Sequence, residues 1–236
     1  MRRALSAVLL LLSALTAAPA VAAADDDDRI VPAHEEPRHV PKLVNRWVRV
    51  IDVEIPEGER TLYHAHSLDY PYLMISSVTL RNQTPGQEAR DMPVTRGVVG
   101  YYRAATQGTY THRFINLGPG TFRAIGIELL TPLSMGRPET ASLPEQPGLA
   151  TVLDNERARA YRIVLQPGQS LGPLALPGPG LLVGMTPGRL SYRLGDAAET
   201  RVDMSPAAFR FHEEPSVVTL TNAGDQPLEL VEFQFK

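Results

Sequence analysis

From residue 48 onward the chain is a succession of short apolar runs separated by Gly and Pro. The runs alternate with period two or are dense in Val, Ile, Leu, Tyr and Phe, which is the pattern of half-buried or fully buried strands. In the first half this predicts strands over residues 48–55, 60–66, 72–81, 94–102, 111–117 and 122–130. Turns fall at Pro56-Glu57-Gly58, Thr84-Pro85-Gly86 and Gly118-Pro119-Gly120. Residues 135–152 change character, with repeated Pro, Gly and Ser, and read as a linker. Strand patterns resume at 161–165, 180–185, 189–194, 207–211, 217–221 and 228–235. No long amphipathic helix is visible. Many short strands with regular turn signals predict an all-β sandwich or barrel.

The second half repeats the first. Asn45-Arg46-Trp47-Val48-Arg49-Val50, with Val53, Ile55 and Gly58, recurs as Asn155-Glu156-Arg157-Ala158-Arg159-Ala160, with Ile163, Leu165 and Gly168. Asn116-Leu117-Gly118 before the run 122–130 recurs as Asn222-Ala223-Gly224 before the run 228–236. Two similar β-barrels in tandem are the simplest account of such a repeat. The expected division is an N-terminal arm at 25–44, a first barrel at 45–134, the linker at 135–152 and a second barrel at 153–236.

Candidate chemistry sits in the first copy. His64 and His66 are two residues apart on an expected strand, so both imidazoles leave the same face. His112, on a later strand, completes three ligands of a metal site with open positions. In the second copy Leu174, Leu176 and Val218 occupy the matching positions. Since an unpaired polar group is costly to bury, that barrel reads as packed with aliphatics and free of metal. His212 there has no nearby histidine partner and reads as a surface or structural residue.

Composition narrows the setting. Arg2 and Arg3, an apolar stretch at 4–18 and the small residues Ala20-Val21-Ala22 and Ala22-Ala23-Ala24 predict a secretory signal peptide over residues 1–24. The rest of the chain is expected in the periplasm or outside the cell. No other stretch has the length and apolarity of a membrane span, so no membrane insertion is expected. The chain has no cysteine, which excludes disulfides and thiolate metal sites. The formal net charge of −3 is partly the solvated run Asp25–Asp28. No basic stripe is present, which argues against nucleic acid as a partner.

Gly58, His64 and His66 match the first half of the motif G(X)5HXH(X)3–4E(X)6G of the cupin superfamily. Gly100, Gly108, His112 and Asn116 follow its second motif, G(X)5PXG(X)2H(X)3N, with Thr106 at the proline position and one extra residue before the histidine. The chain thus resembles a bicupin: two tandem double-sheet jelly-roll barrels, with a metal near the axis of the first. It departs from the family at the usual glutamate, where Tyr70 and Pro71 stand and Asp69 falls one residue short. The resemblance therefore implies a three-histidine site of His64, His66 and His112, as in the thiol and diketone dioxygenases of the superfamily, with Asp69 reaching the metal only if its strand bulges. It implies a divalent Fe, Zn, Mn, Ni or Cu ion, and oxidation of a small chelating molecule by a metal-dependent dioxygenase. The alternative is a non-catalytic binder of a small ligand or of the metal itself. Tyr70 and Asp69 are the candidate catalytic groups. Phe114, on the face of His112, is expected to line the barrel, and Asn116 to support the site by hydrogen bonds. Tyr63 alternates to the outside. Met74 and Met92 read as core fillers. A monomer or a homodimer is expected.

Overall fold

A computed structural model of the chain describes residues 28–131 and 142–236. The expected signal peptide and part of the linker lie outside the described residues. The fold is two tandem β-barrels, each built from two facing sheets in jelly-roll fashion. In the first barrel one sheet runs, in spatial order, β1 (Ile30–Pro32), β4 (Tyr63–His66), β9 (Tyr110–Asn116), β6 (Val78–Gln83) and β7 (Arg90–Val94). The facing sheet runs β2 (His39–Val44), β3 (Val48–Ile55), β10 (Phe122–Leu129), β5 (Tyr70–Met74) and β8 (Val99–Tyr102). The single turn of helix α1 (Ala104–Gln107) links β8 to β9.

The second barrel repeats this plan. One sheet is β11 (Leu149–Asp154), β12 (Ala158–Leu165), β19 (Leu228–Phe235), β14 (Gly180–Gly184) and β17 (Phe209–His212). Its partner is β13 (Ser170–Leu176), β18 (Ser216–Asn222), β15 (Gly188–Leu194) and β16 (Thr200–Met204). Among the described residues the first barrel alone adds a further strand, β1, which runs parallel to β4 along its outer edge.

Two expected boundaries move. The stretch read as an N-terminal arm contains β1 and β2, and β2 pairs with β3 from His39↔Val53 to Val44↔Arg49. The stretch read as linker ends in β11, which pairs with β12 from Leu149↔Ile163 to Asp154↔Arg159. The two edge strands hold the same place in their barrels. Two expected strands are each split in two. The run 72–81 breaks at Ile75–Ser77, where the chain leaves one sheet for the other and the carbonyl of Arg123 accepts hydrogen bonds from the amides of Ile75 and Ser76. The run 94–102 breaks likewise between β7 and β8.

β10 and β19 are buried on both faces, which explains their nearly unbroken apolar sequences. Inward, Ile51, Val53, Ile55 and Phe122 fill the first barrel, while Ile163, Leu165, Leu228 and Leu230 fill the second. Outward, Val50, Ile125 and Ile127 of the first barrel join Leu181, Val183 and Phe233 of the second in one shared core. The barrels therefore pack sheet against sheet. Burying a side chain of this size stabilises the fold by about 2 kcal/mol, so the seam makes each barrel a major support of the other.

Candidate metal centre

Strand alternation brings the histidines together. His64 and His66 leave the inner face of β4, and pairing of β4 with β9 sets His112 directly across from His64. A fourth imidazole, His39, arrives from β2 in the opposite sheet. The His64 ring lies 4.3 Å from that of His39, 4.5 Å from that of His112 and 5.1 Å from that of His66. The His66 and His112 rings are 5.2 Å apart. All four are buried. Ligating nitrogens of His39, His64 and His66 lie within 4.8 Å of one another. The tightest triad thus includes His39, and His112 stands beside it as the fourth member.

Three of the rings are oriented by their second nitrogen. His39 Nδ1 is 2.6 Å from the buried carboxylate of Glu36. His64 Nδ1 donates to the carbonyl of Leu62 at 3.0 Å. His112 Nδ1 is 3.0 Å from Asn82 Oδ1, while the Asn82 amide donates to the Tyr110 hydroxyl at 2.7 Å. Each bond fixes a tautomer with its proton on Nδ1 and leaves Nε2 as a lone-pair donor. His64 Nε2 and His66 Nδ1 are buried with no hydrogen-bond partner. Buried polar atoms are nearly always satisfied, so two such nitrogens in one cluster mark a place where a ligand completes the set.

Electrostatics point the same way. Burial pushes His64 down to about 3, with the neighbouring His39 adding to the effect. It pushes His66 down to about 2, helped by His64 and His39. His112 falls well below the ordinary histidine range for the same reasons. Neutral imidazoles are the form that binds metal. Burial pushes Glu36 upward, but hydrogen bonds from His39 and from the amides of Leu62 and Arg38 outweigh it, so the carboxylate is held below its usual range. It supplies a fixed negative charge behind the cluster.

The cluster faces a cavity of about 230 Å³. Tyr72, Met74, Met92, Tyr102, Phe114 and Phe122 form much of its wall, and among the described residues no Asp, Glu, Lys or Arg lines it. Met74 and Met92, expected as core filler, border this space.

The other expected site residues fall in different places. Tyr70 joins the cluster: its ring is 4.5 Å from that of His66, and its hydroxyl lies over Gly126, where a Cβ would come within 1.7 Å. Burial raises its pKa, so the phenol stays protonated. Phe114 meets His112 edge to face at 4.4 Å. Asp69 does not join them. It precedes Tyr70 by one residue and so points the other way, accepting from the Ala105 amide at 3.0 Å and facing Arg157 Nε at 3.9 Å. Asn116 does not touch the cluster either. Its amide nitrogen donates to the carbonyls of Ile55 and Gly120, and its oxygen accepts from the Gly118 amide. Asn222 makes the matching bonds to Leu165, Gln226 and Gly224 in the second barrel. A residue that does one job in both barrels belongs to the frame. Tyr63 points away from the histidines, as alternation requires, yet it is buried, with Arg113 stacked 4.5 Å over its ring.

The second barrel is not plugged. Register aligns Leu174 and Val218, a paired couple, with His64 and His112. These aliphatic side chains surround a cavity of about 200 Å³. His212, expected as a surface or structural residue, borders that cavity, and its Nε2 lies 2.7 Å from Oε1 of the buried Glu232.

Sequence reasoning missed His39, Glu36 and Asn82. A signal for the first was present: residue 39 advanced by the repeat offset is Leu149, the same exchange of histidine for an aliphatic seen at the other ligand positions.

No family profile and no curated protein sequence matches the chain. Solved structures do. A point variant of oxalate decarboxylase from B. subtilis aligns over 80% of this chain and 69% of its own at 11% identity, with a TM-score of 0.57. AerE from Microcystis aeruginosa aligns over 85% of this chain and 98% of its own at 12% identity, with a TM-score of 0.55. YhaK from Escherichia coli aligns over 84% and 90% at 15% identity, with a TM-score of 0.53. At these identities the likeness is one of fold. Taken with the duplicated sheets and the interior histidines, it identifies the chain as having the fold of the cupin superfamily, present as two barrels in tandem.

Proposed function

We propose that this protein is an exported bicupin whose first barrel binds a divalent transition metal through His39, His64, His66 and His112 and oxidises a compact, uncharged molecule that chelates it. The observation that carries the reading is the pair of buried, partnerless nitrogens, His64 Nε2 and His66 Nδ1, in a cluster whose other rings are held by Glu36, Leu62 and Asn82. A metal held there supplies Lewis acidity to the chelating substrate and a meeting point with dioxygen.

The chain's own residues set what can bind. Tyr72, Tyr102, Phe114 and the two methionines offer flat and polarisable surfaces, which favour an aromatic or unsaturated molecule. Among the described residues the wall has no cationic side chain, so a substrate's negative charge would find its positive partner in the metal alone, and the rest of the molecule meets apolar and aromatic surface. Tyr70, protonated and packed against His66, can donate a hydrogen bond to an oxygen of the substrate. Export rests on the leading residues 1–24, and iron, zinc, manganese, nickel and copper all suit an imidazole set.

Metal content and oxygen consumption test this together. Protein purified from a periplasmic fraction is expected to carry one transition-metal ion per chain, and a His64→Ala, His66→Ala variant none. Oxygen uptake is then followed with catechols, diketones and thiols. Absence of metal in the unmodified protein under all loading conditions would refute the site. A second reading, a metal-bound carrier without turnover, is favoured by one observation: Asp69 faces away and Tyr70 keeps its proton, so among the described residues no carboxylate borders the cavity to act as a base. Full metal occupancy with no uptake on any substrate would select it.

A further inference from the structure

The cavity of the second barrel is built from a coordinated exchange of residues. Glu232 occupies the position that Gly126 holds in the first barrel, His212 the position of Tyr102, and Gly180 the position of Tyr70. In the first barrel a tyrosine from β5 lies over a glycine of β10. In the second the sides are reversed. A Cβ at Gly180 would lie 2.3 Å from His212 Nε2 and 2.7 Å from Glu232 Oε1, so the glycine makes room for an acid–imidazole pair. Glu232 is only 2% exposed. Around the pair stand Leu174, Leu176, Leu182 and Leu220, and the exposed Arg210 and the half-buried Tyr192 also border the space.

An acid–imidazole pair with its glutamate buried in a largely aliphatic chamber is no gain for packing; hydrocarbon of the same volume would serve stability as well or better. Had the duplicated barrel lost its ligands only to become filler, Gly126 and Tyr102 would have no reason to become glutamate and histidine. One oxygen of Glu232 is taken by His212. A carboxylate has further lone pairs, which accept only from donors. His212 is the cation at hydrogen-bond distance from the glutamate, whereas Arg210, which also lines the cavity, lies over the Tyr192 ring, so inside the chamber a ligand anion would meet the glutamate. An apolar cavity of about 150 Å³ accepts benzene, so about 200 Å³ holds one small substituted ring or a short branched chain.

We propose that the second barrel is a separate binding site for a compact, uncharged apolar molecule bearing one hydroxyl, whose hydrocarbon body packs among Leu174, Leu176 and Leu220 and whose hydroxyl donates to Glu232. The site needs no metal and is independent of the chemistry assigned to the first barrel.

The probe is 4-ethylphenol, with ethylbenzene as its hydroxyl-free twin, titrated calorimetrically into full-length protein stripped of metal. In the second barrel one molecule of 4-ethylphenol is expected, bound at least tenfold more tightly than ethylbenzene, because the twin leaves the buried carboxylate without its donor. Leu220→Trp, which fills the chamber, is expected to abolish binding. Glu232→Leu, which leaves the hydroxyl no side-chain partner at that position, is expected to erase the difference between the two probes. Phe114→Trp, in the first barrel, is expected to leave both unchanged. Since Leu220→Trp can fail to fold, nuclear Overhauser contacts between 4-ethylphenol and the methyl groups of Leu174, Leu176 and Leu220 are read on the unmodified protein. No saturable binding up to millimolar concentration would overturn the proposal. So would binding abolished by Phe114→Trp, or equal affinity for the two probes. Because metal is absent throughout, these results stand apart from the success or failure of the metal-site reading.

Discussion

In the first barrel Asn116 ties the end of β9 to Ile55 and Gly120; in the second Asn222 ties the end of β18 to Leu165 and Gln226. Around this common frame the interiors have diverged. His39, His64, His66 and His112 face Leu149, Leu174, Leu176 and Val218 at matching register positions. The comparison separates what the fold requires from what the site requires. A residue kept in both halves serves the scaffold, whatever motif it sits in, and a polar residue present in one half alone has some other reason to be there.

The strongest way to break this comparison is to write the second barrel into the first. A variant with His39→Leu, His64→Leu, His66→Leu and His112→Val is expected to lose metal entirely by elemental analysis. It is expected to keep or raise its melting temperature in the metal-free state, since His64 and His66 each bury a nitrogen without a partner. A marked fall in metal-free stability would show that the cluster has a packing role.

Acid sharpens the same contrast. His64 and His66 have folded pKa values of about 3 and about 2, below the unfolded value of 6.5, so the unfolded chain binds more protons. Their contribution is complete above pH 6.5 and is lost progressively as pH falls from there toward about 2. Metal-free protein should lose on the order of a few kcal/mol across that window. The aliphatic variant should lose clearly less in urea titrations at the same pH values; equal slopes would remove the histidines as the cause.

Asn116→Ala and Asn222→Ala are expected to cost about 3 kcal/mol each, because buried carbonyls and an amide lose their partners. Metal content per folded molecule should be unchanged by either. Loss of metal with Asn116→Ala alone would return that residue to the site. The smallest expected effect is that of Glu36→Gln, which keeps the shape behind His39 but removes the charge. Metal affinity should fall about tenfold, measured by competition with a chelator, and an unchanged affinity would leave His39 outside the metal's coordination.

The sequence was informative where periodicity had consequences. β3 and β10 fall where alternation and turn signals put them, and His64 and His66 share a face because strands alternate. The same rule, applied one residue back, turns Asp69 away from Tyr70 and toward Arg157. What stayed hidden depends on pairing across the barrel. β2 carries His-Val-Pro-Lys-Leu-Val, an edge strand with a proline and largely exposed, and so resembles an arm. Its histidine enters the site only because β2 docks on β3. The pair Glu232 and His212 is separated by most of two strands, and no local pattern joins them.

The apolar seam between the barrels has one more consequence. An enzyme engineer who wished to express either half alone would uncover Ile125 and Ile127 on one piece, or Leu181 and Phe233 on the other. Each fragment would then carry a greasy face shaped to meet a near-copy of itself. Such a piece is expected to pair with its own kind or precipitate, and the covalent joining of the halves removes that choice by always supplying the right companion.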